Sequence, residues 1–259
     1  MKYSISNIAW DAQQDFEMYS FLQQQGVQGV EIAPTRLFPN PYENPEKAQL
    51  YAAMLKNRFG LEISSMQSIW YGVQGNIFDA QDAERLAAYT RKAMDFAAAM
   101  GIKNLVFGCP KNRSIPQGKS QDDVLEFFHN LGQYALSRNT VLALEPVAHI
   151  YGTNFLNHTK DVCEFCRRID SEGVKVNMDF GTILYNKENP HLIKTYKHIV
   201  SHIHLSAPYL EQIKHTKQHD TLKKVLDKIE YDRWLSVEMK NTGDISKVKQ
   251  AVLYLKENF

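Results

Sequence analysis

The 259-residue sequence is poor in cysteine and contains no apolar run as long as a membrane span. Its three cysteines, Cys109, Cys163 and Cys166, are too few for a disulfide framework. Cys163 and Cys166 form a C-x-x-C pair within a predicted helix, without a second pair, so we interpret them as structural. The first residues show no basic segment followed by an apolar core, so we predict no signal peptide and expect a cytoplasmic protein.

An excess of either charge is also missing. Thirty lysine and arginine residues face twenty-nine acidic ones, for a formal net charge of +1. No overall electrostatic attraction therefore favours nucleic acid or an anionic membrane as a partner, and we expect a small-molecule ligand. A glycine-rich phosphate loop is likewise missing after the first predicted strand, which argues against a dinucleotide-binding sheet.

The sequence does contain eight strand-like runs in strict alternation with helical ones. We predict strands at 2–8, 27–33, 61–68, 104–109, 141–145, 175–179, 200–204 and 234–238. We predict helices at 15–25, 45–59, 82–100, 120–137, 159–169, 187–196, 221–229 and 245–255. Eight βα units in this length predict an α/β fold, a (β/α)8 TIM barrel in a single domain over 1–259. An open, doubly wound sheet is the alternative.

Four consecutive predicted strands end close to a carboxylate or an imidazole. The apolar run 141–144 is followed by Glu145 and then by Pro146, which cannot continue a strand. Asp179, His204 and Glu238 follow at intervals of 34, 25 and 34 residues. One strand with its return helix takes roughly 30 residues, so each unit delivers one such group to the same end of the barrel.

Three carboxylates and one imidazole form a hard-to-borderline set of ligands. This set suits one divalent metal ion such as Mn²⁺, Co²⁺, Mg²⁺ or Zn²⁺. The sequence therefore predicts a metal site made by Glu145, Asp179, His204 and Glu238. For Glu145 considered alone, a salt bridge or a hydrogen bond to a neighbouring loop is the alternative, because a buried charge needs a partner.

The segments around these residues resemble the xylose isomerase-like TIM barrels, which include sugar and sugar-phosphate isomerases and epimerases. The resemblance extends over essentially the whole chain, and its specific part lies in the segments 144–146, 178–181, 202–206 and 236–239. In the ketose 3-epimerase branch, a Glu, an Asp, a His and a Glu on the fifth to eighth strands hold the metal. The resemblance thus implies the same four ligands.

The resemblance implies isomerisation or epimerisation of a sugar through an enediolate, with proton transfer between Glu145 and Glu238. Dehydration of an inosose or a related keto-polyol is an alternative that uses the same groups. A non-catalytic sugar-binding barrel is a second alternative. Phosphodiester hydrolysis, as in the endonuclease IV relatives, is disfavoured because those enzymes use more histidines and this chain is not basic. Barrels of this family often pair, so a homo-oligomer is compatible with the resemblance.

Two positions depart from the epimerase pattern. Thr182 stands where the epimerases have a histidine, three residues after the sixth-strand aspartate. Leu210 stands where they have an arginine, six residues after the seventh-strand histidine. Both family residues help to hold the sugar, so a free-ketose 3-epimerase is put in doubt. His149 and His219 are the candidates to replace them.

Further substrate-binding candidates come from strand ends and the loops after them. They are Trp10, Glu31, Gln67, Lys111 and Arg113. Trp10 offers a ring for stacking, and Lys111 and Arg113 offer charge for an anion; solvated loop charges are the alternative for the latter two. Glu31 alternatively pairs with a nearby Arg or Lys. His202, two residues before His204 on the same strand, is expected to be a hydrogen-bonded core residue.

Overall fold

The computed structural model describes residues 1–259 and contains eight parallel strands. The strands are β1 (Lys2–Ser6), β2 (Gly29–Ile32), β3 (Glu62–Met66), β4 (Asn104–Phe107), β5 (Val141–Leu144), β6 (Val174–Asp179), β7 (Val200–Ser206) and β8 (Trp234–Glu238). Each strand pairs with the next, and β8 pairs with β1. This closure confirms the (β/α)8 TIM barrel and excludes an open sheet.

Helices connect the strands and surround the barrel. They are α1 (Asp15–Gln24), α2 (Pro34–Leu37), α3 (Pro45–Phe59), α4 (Ala80–Ala99), α5 (Leu125–Ser137), α6 (Thr159–Ile169), α7 (Phe180–Tyr185), α8 (Leu192–Tyr196), α9 (Lys217–Lys228) and α10 (Ile245–Asn258). None of the helices is both long enough and apolar enough to cross a bilayer.

Local sequence accounts for several helix boundaries. The side chain of Asn44 accepts a hydrogen bond from the backbone N–H of Lys47, and Pro45 occupies the first position of α3. Gly60 ends α3 with a φ of 67°, a conformation that glycine adopts without steric conflict. Ser120 and Asp123 form a capping box at the start of the turn that leads into α5.

The predicted helix at 187–196 is wrong in its boundaries. The chain begins α7 directly after β6, because the Asp179 side chain accepts a hydrogen bond from the Thr182 N–H at 2.6 Å. Lys187 has a φ of 55°, and this left-handed conformation lies just beyond the end of α7. A second short helix, α8, begins only at Leu192. Thus the residue predicted to be a metal ligand also caps a helix.

The interior of the barrel contains small polar side chains as well as aliphatic ones. The hydroxyls of Ser4 and Ser64 lie 2.8 Å apart, although β1 and β3 are not neighbours. Asn104 donates to the Ser65 hydroxyl at 2.9 Å, and Ser201 donates to Asn104 at 2.6 Å. TIM barrels usually fill this space with bulky branched residues, so a hydrogen-bonded interior is a departure that permits polar groups beneath the site.

Candidate active site

The four strand-end residues meet at the carboxyl end of the barrel. Ligand atoms of Glu145, Asp179, His204 and Glu238 all lie within 4.8 Å of one another. The strand register explains this arrangement, because Asp179 on β6 lies opposite His204 on β7, and Ser206 lies opposite Glu238 on β8. The structure therefore brings together the residues that the sequence selected, and metal binding by them stays a prediction.

His204 is at the centre of the cluster. Its Nδ1 atom lies 2.8 Å from a carboxylate oxygen of Glu145 and 3.2 Å from one of Glu238. The carboxylate of Glu145 also accepts a hydrogen bond of 2.6 Å from the side chain of Asn177. Asp179 accepts hydrogen bonds from the Thr182 N–H and the Ser206 hydroxyl. The four groups are thus held from several sides and face one small volume.

The electrostatics of the cluster favour a cation. Burial raises the pKa of Glu145 and of Glu238, and the other carboxylates of the cluster add to this effect. Burial and the neighbouring Glu145 likewise raise the pKa of Asp179. Burial opposes the charged form of His204, but the carboxylates around it raise its pKa well above the ordinary value. Several buried carboxylates around one imidazole are short of positive charge, so the donor set fits a divalent ion.

Glu31 lies beneath the cluster rather than at its open side. It is completely buried, and one carboxylate oxygen lies 3.0 Å from Nε2 of His204. Ser236 donates a second hydrogen bond to it at 3.0 Å. Burial works against ionisation of Glu31, but His204 and His202 lower its pKa to about 2. Glu31 therefore holds Nε2 of His204 and leaves Nδ1 directed at the three carboxylates.

His202 lies beside Glu31 in the same buried layer. Its Nε2 atom is 3.5 Å from the Glu31 carboxylate, and neither ring nitrogen has a hydrogen-bond partner. Burial lowers its pKa to about 4, so the ring is neutral near pH 7. The position in the core is as expected from the sequence, whereas the expected hydrogen bond is not formed.

A cavity of about 170 Å³ opens above the carboxylates. Glu145, Asp179 and Glu238 form its floor, and Gln67 is part of the lining, with its amide donating to the Ser6 hydroxyl. The two positions that depart from the epimerase pattern, Thr182 and Leu210, also line it. The Thr182 hydroxyl donates to the carbonyl of Pro146 at 3.1 Å, so no free polar group replaces the family histidine there.

Four of the other candidates lie outside this lining. Lys111 and His149 are exposed on loops. His219 is buried and caps α9, with its ring nitrogen 2.8 Å from the Thr216 hydroxyl. Trp10 is buried, donates to Asp15 at 2.8 Å and lines an adjoining cavity instead. His149 and His219 therefore do not occupy the places left by the missing family residues.

Arg113 was a candidate for binding an anion, but its side chain instead binds backbone carbonyls of the protein. It is completely buried, and its guanidinium donates to the backbone carbonyls of Gly108, Glu145, Phe155 and Leu156 at 2.8–3.0 Å. These bonds use both terminal nitrogens, so none of those donors faces the cavity. Arg113 thus joins the loops after β4 and β5 and fixes the backbone of Glu145.

Replacing Arg113 by methionine is expected to lower the free energy of unfolding by about 3 kcal/mol or more, because four buried carbonyls lose a charged donor. Urea unfolding measures the change. The matched control is Lys111→Met, which removes an exposed cation two residues away and is expected to change stability by about 0.5 kcal/mol or less. Equal effects of the two substitutions would contradict this assignment.

Some residues of the site were not selected from the sequence. Tyr151 lines the cavity, and its hydroxyl accepts a hydrogen bond from the Tyr209 N–H at 2.8 Å. Burial raises its pKa to about 12. No sequence signal separates it from His149 in the same loop.

The sequence does carry a signal that Ser206 belongs to the site. Ser206 follows His204 by two positions on one strand and therefore points to the same side.

Gly108 is required by the position of Glu145. A Cβ atom at residue 108 would lie 2.6 Å from a carboxylate oxygen of Glu145. No side chain fits there without displacing that carboxylate, so the glycine after β4 contributes to the site by leaving space.

The chain matches a family model described as "Xylose isomerase-like TIM barrel" over residues 20–258. No curated protein sequence matches it. Its fold is similar to that of several solved structures. Their sequences are only 14–18% identical to this chain, so they support the architecture alone.

Three of these solved structures are two epimerases and a probable dehydratase. The 3-keto-D-glucoside 4-epimerase of E. coli is 18% identical, with a TM-score of 0.77 and 99% of each chain covered. A D-psicose 3-epimerase is 14% identical, with a TM-score of 0.80 and coverage of 100% of this chain and 99% of that one. A probable 3-DHS dehydratase of Bacillus anthracis is 16% identical, with a TM-score of 0.71 and 99% of each chain covered.

Proposed function

The chain belongs to the xylose isomerase-like TIM barrel family, and from this premise and the site geometry we propose that it is a divalent-metal-dependent isomerase or epimerase of a sugar or sugar derivative. The observation that carries the proposal is the convergence of Glu145, Asp179 and Glu238 on Nδ1 of the buried His204. This group lies at the end of the barrel where TIM-barrel enzymes carry out their chemistry.

The metal would be held by Glu145, Asp179, His204 and Glu238. A divalent ion bound there supplies positive charge for the oxygen on which negative charge develops during enolisation. The remaining chemistry belongs to the chain. The backbone and side-chain bonds of Glu145 and Asp179 hold their carboxylates in place.

Glu145 and Glu238 are proposed as the proton-transfer pair. One carboxylate removes the proton from the carbon next to a carbonyl, and the C–H electrons form the enediolate as the carbonyl electrons move onto oxygen. The other carboxyl returns a proton, either to the opposite face of the same carbon or to the neighbouring carbon. In the metal-free site, burial raises the pKa of each carboxyl. A divalent ion held by the same carboxylates would lower the pKa of both.

Solvent exchange tests the proposal directly. The metal-loaded protein is incubated in D2O with D-fructose, D-allulose and a 3-keto-D-glucoside, and the sugars are followed by NMR. Deuterium at the carbon next to the carbonyl, together with a new isomer, is the expected result. Exchange followed by loss of water would instead show a dehydratase. Binding of a sugar without any exchange would show a non-catalytic barrel and overturn the proposal.

Glu31 is expected to control metal affinity without touching the metal. Glu31→Gln removes the carboxylate that holds Nε2 of His204, and such supporting groups typically change metal affinity by about 10–100-fold. Competition with a chromophoric chelator measures the dissociation constant. Glu62→Gln, a half-exposed carboxylate on β3 that pairs with Lys2, is the matched control and is expected to leave the affinity unchanged. An affinity of Glu31→Gln within twofold of the wild type would disprove the role.

A further inference from the structure

A second cavity lies directly beside the catalytic one. It has a volume of about 550 Å³, and Ser68 and Leu210 line both cavities. Ligand pockets usually enclose about 300–1,000 Å³, so the catalytic cavity of about 170 Å³ is small when taken alone. Together the two spaces fit a substrate of two parts, one over the carboxylates and the other beyond Ser68 and Leu210.

The two residues that line both cavities have an unusual backbone conformation. Ser68 has a φ of 53° and Leu210 a φ of 52°, and neither is glycine. This left-handed conformation is disfavoured by about 1–2 kcal/mol per residue. It is held by hydrogen bonds from the Tyr71 N–H to Ser68 and from the Lys240 N–H to Leu210, at 3.0 and 2.8 Å. Strained residues of this kind concentrate at ligand sites.

The lining of the second cavity suits a ring. The side chain of Tyr71 is 74% exposed, which leaves a large aromatic surface open to a ligand. Trp10, which is only 2% exposed, contributes to the same lining, together with Ile8 and Ala33. An aromatic ring offers an apolar face and tyrosine adds a polar hydroxyl, a combination that matches the C–H face and hydroxyl edge of a sugar ring.

The charges of this cavity do not suit a phosphate. Its two cations are Arg36 and Lys240, and both are already paired. Arg36 binds Asp15 at 2.6 Å and also the carbonyl of Trp10, while Lys240 binds Glu211. The carboxylate-bearing Asp11 lines the same cavity. An anion would meet the acidic Asp11 and two cations that each already have an acidic partner, so an uncharged group is favoured.

We propose that the second cavity is a subsite for an uncharged ring joined to the reacting sugar, so that the substrate is a glycoside rather than a free or phosphorylated sugar. This inference rests on the proposed function, because it assumes that the reacting carbons lie over Glu145 and Glu238. It also assigns Tyr71 and Leu210 to substrate selection. Leu210, which lines both cavities, then offers an apolar contact where the two rings are joined.

The test compares three keto sugars that differ only in their substituent: 3-keto-D-glucose, its phenyl β-glycoside and its 6-phosphate. Solvent-deuterium exchange gives kcat/KM for each. The glycoside is expected to exceed the free sugar by about two- to tenfold, the scale of one ring-stacking contact, and the phosphate is expected to show no such gain. Tyr71→Ala is expected to remove most of the advantage, whereas Leu50→Ala, an exposed apolar residue on α3, is expected to keep it.

Calorimetric binding of the unreactive phenyl β-D-glucoside gives a second readout that needs no catalysis. Binding that weakens in Tyr71→Ala, with no exchange on any sugar, would overturn the proposed function and leave the subsite standing. Exchange at equal rates on free sugar and glycoside, unaffected by Tyr71→Ala, would overturn the subsite and leave the function. Preference for the phosphate would also overturn the subsite, and neither exchange nor binding would overturn both.

Discussion

Glu145→Gln and Glu238→Gln are each expected to lower the rate of sugar proton exchange by about 10²–10⁴-fold, the usual contribution of one general acid or base. Glutamine keeps the shape of the side chain and removes its ability to take a proton. If the two carboxylates act in one transfer, the double variant loses little more activity than the worse single variant. Exchange is measured with metal in excess, so that weaker metal binding is not mistaken for lost proton transfer.

The matched control for these variants is Glu172→Gln, an exposed carboxylate outside the site. It is expected to keep wild-type activity. Without metal, Glu145→Gln and Glu238→Gln are expected to be at least as stable as the wild type, because each removes one of several buried, mutually repelling carboxylates. Wild-type turnover in both variants would rule out the proposed mechanism.

Removing and restoring a divalent metal is expected to shift the melting temperature strongly. A ligand at a hundred times its dissociation constant adds about 2.7 kcal/mol to the stability of the folded state. In a chain of this size that corresponds to a rise in Tm of roughly 5–10 °C. The wild type is stripped with a chelator and titrated with Mn²⁺, Co²⁺, Mg²⁺ and Zn²⁺, while Tm and bound metal are recorded.

Glu145→Gln supplies the comparison for the metal titration. With one ligand of the four lost, the expected shift in Tm is much smaller at the same metal concentrations. The site predicts about one bound metal ion per chain in the wild type and much less bound metal in the variant. If none of the four ions binds, the metal site is wrong. The cluster is then either a metal-free pair of catalytic carboxylates or a structural feature.

The fold was largely predictable because its signals are local. Alternating strand and helix patterns identified eight units, which the structure closes into one barrel. The missed start of α7 also has a local cause, but one that requires knowing that the Asp179 side chain turns back onto the Thr182 N–H. Asp179 is thus both a predicted metal ligand and a helix cap, and only the folded structure shows the second role.

The four clustered residues were found from the sequence because strand periodicity and the spacing of βα units place strand ends at one edge of the barrel. The roles of Glu31 and Arg113 had no such signal. Glu31 contacts His204 from 173 positions away, and Arg113 contacts carbonyls more than 30 positions away in the next loop. Glu31 and His204 meet because β2 and β7 face each other across the closed barrel, whereas Arg113 reaches the loop after the neighbouring strand β5. Residue periodicity encodes neither contact. Sequence thus identifies which groups reach the site, whereas three-dimensional packing sets which of them face the cavity and which support it from behind.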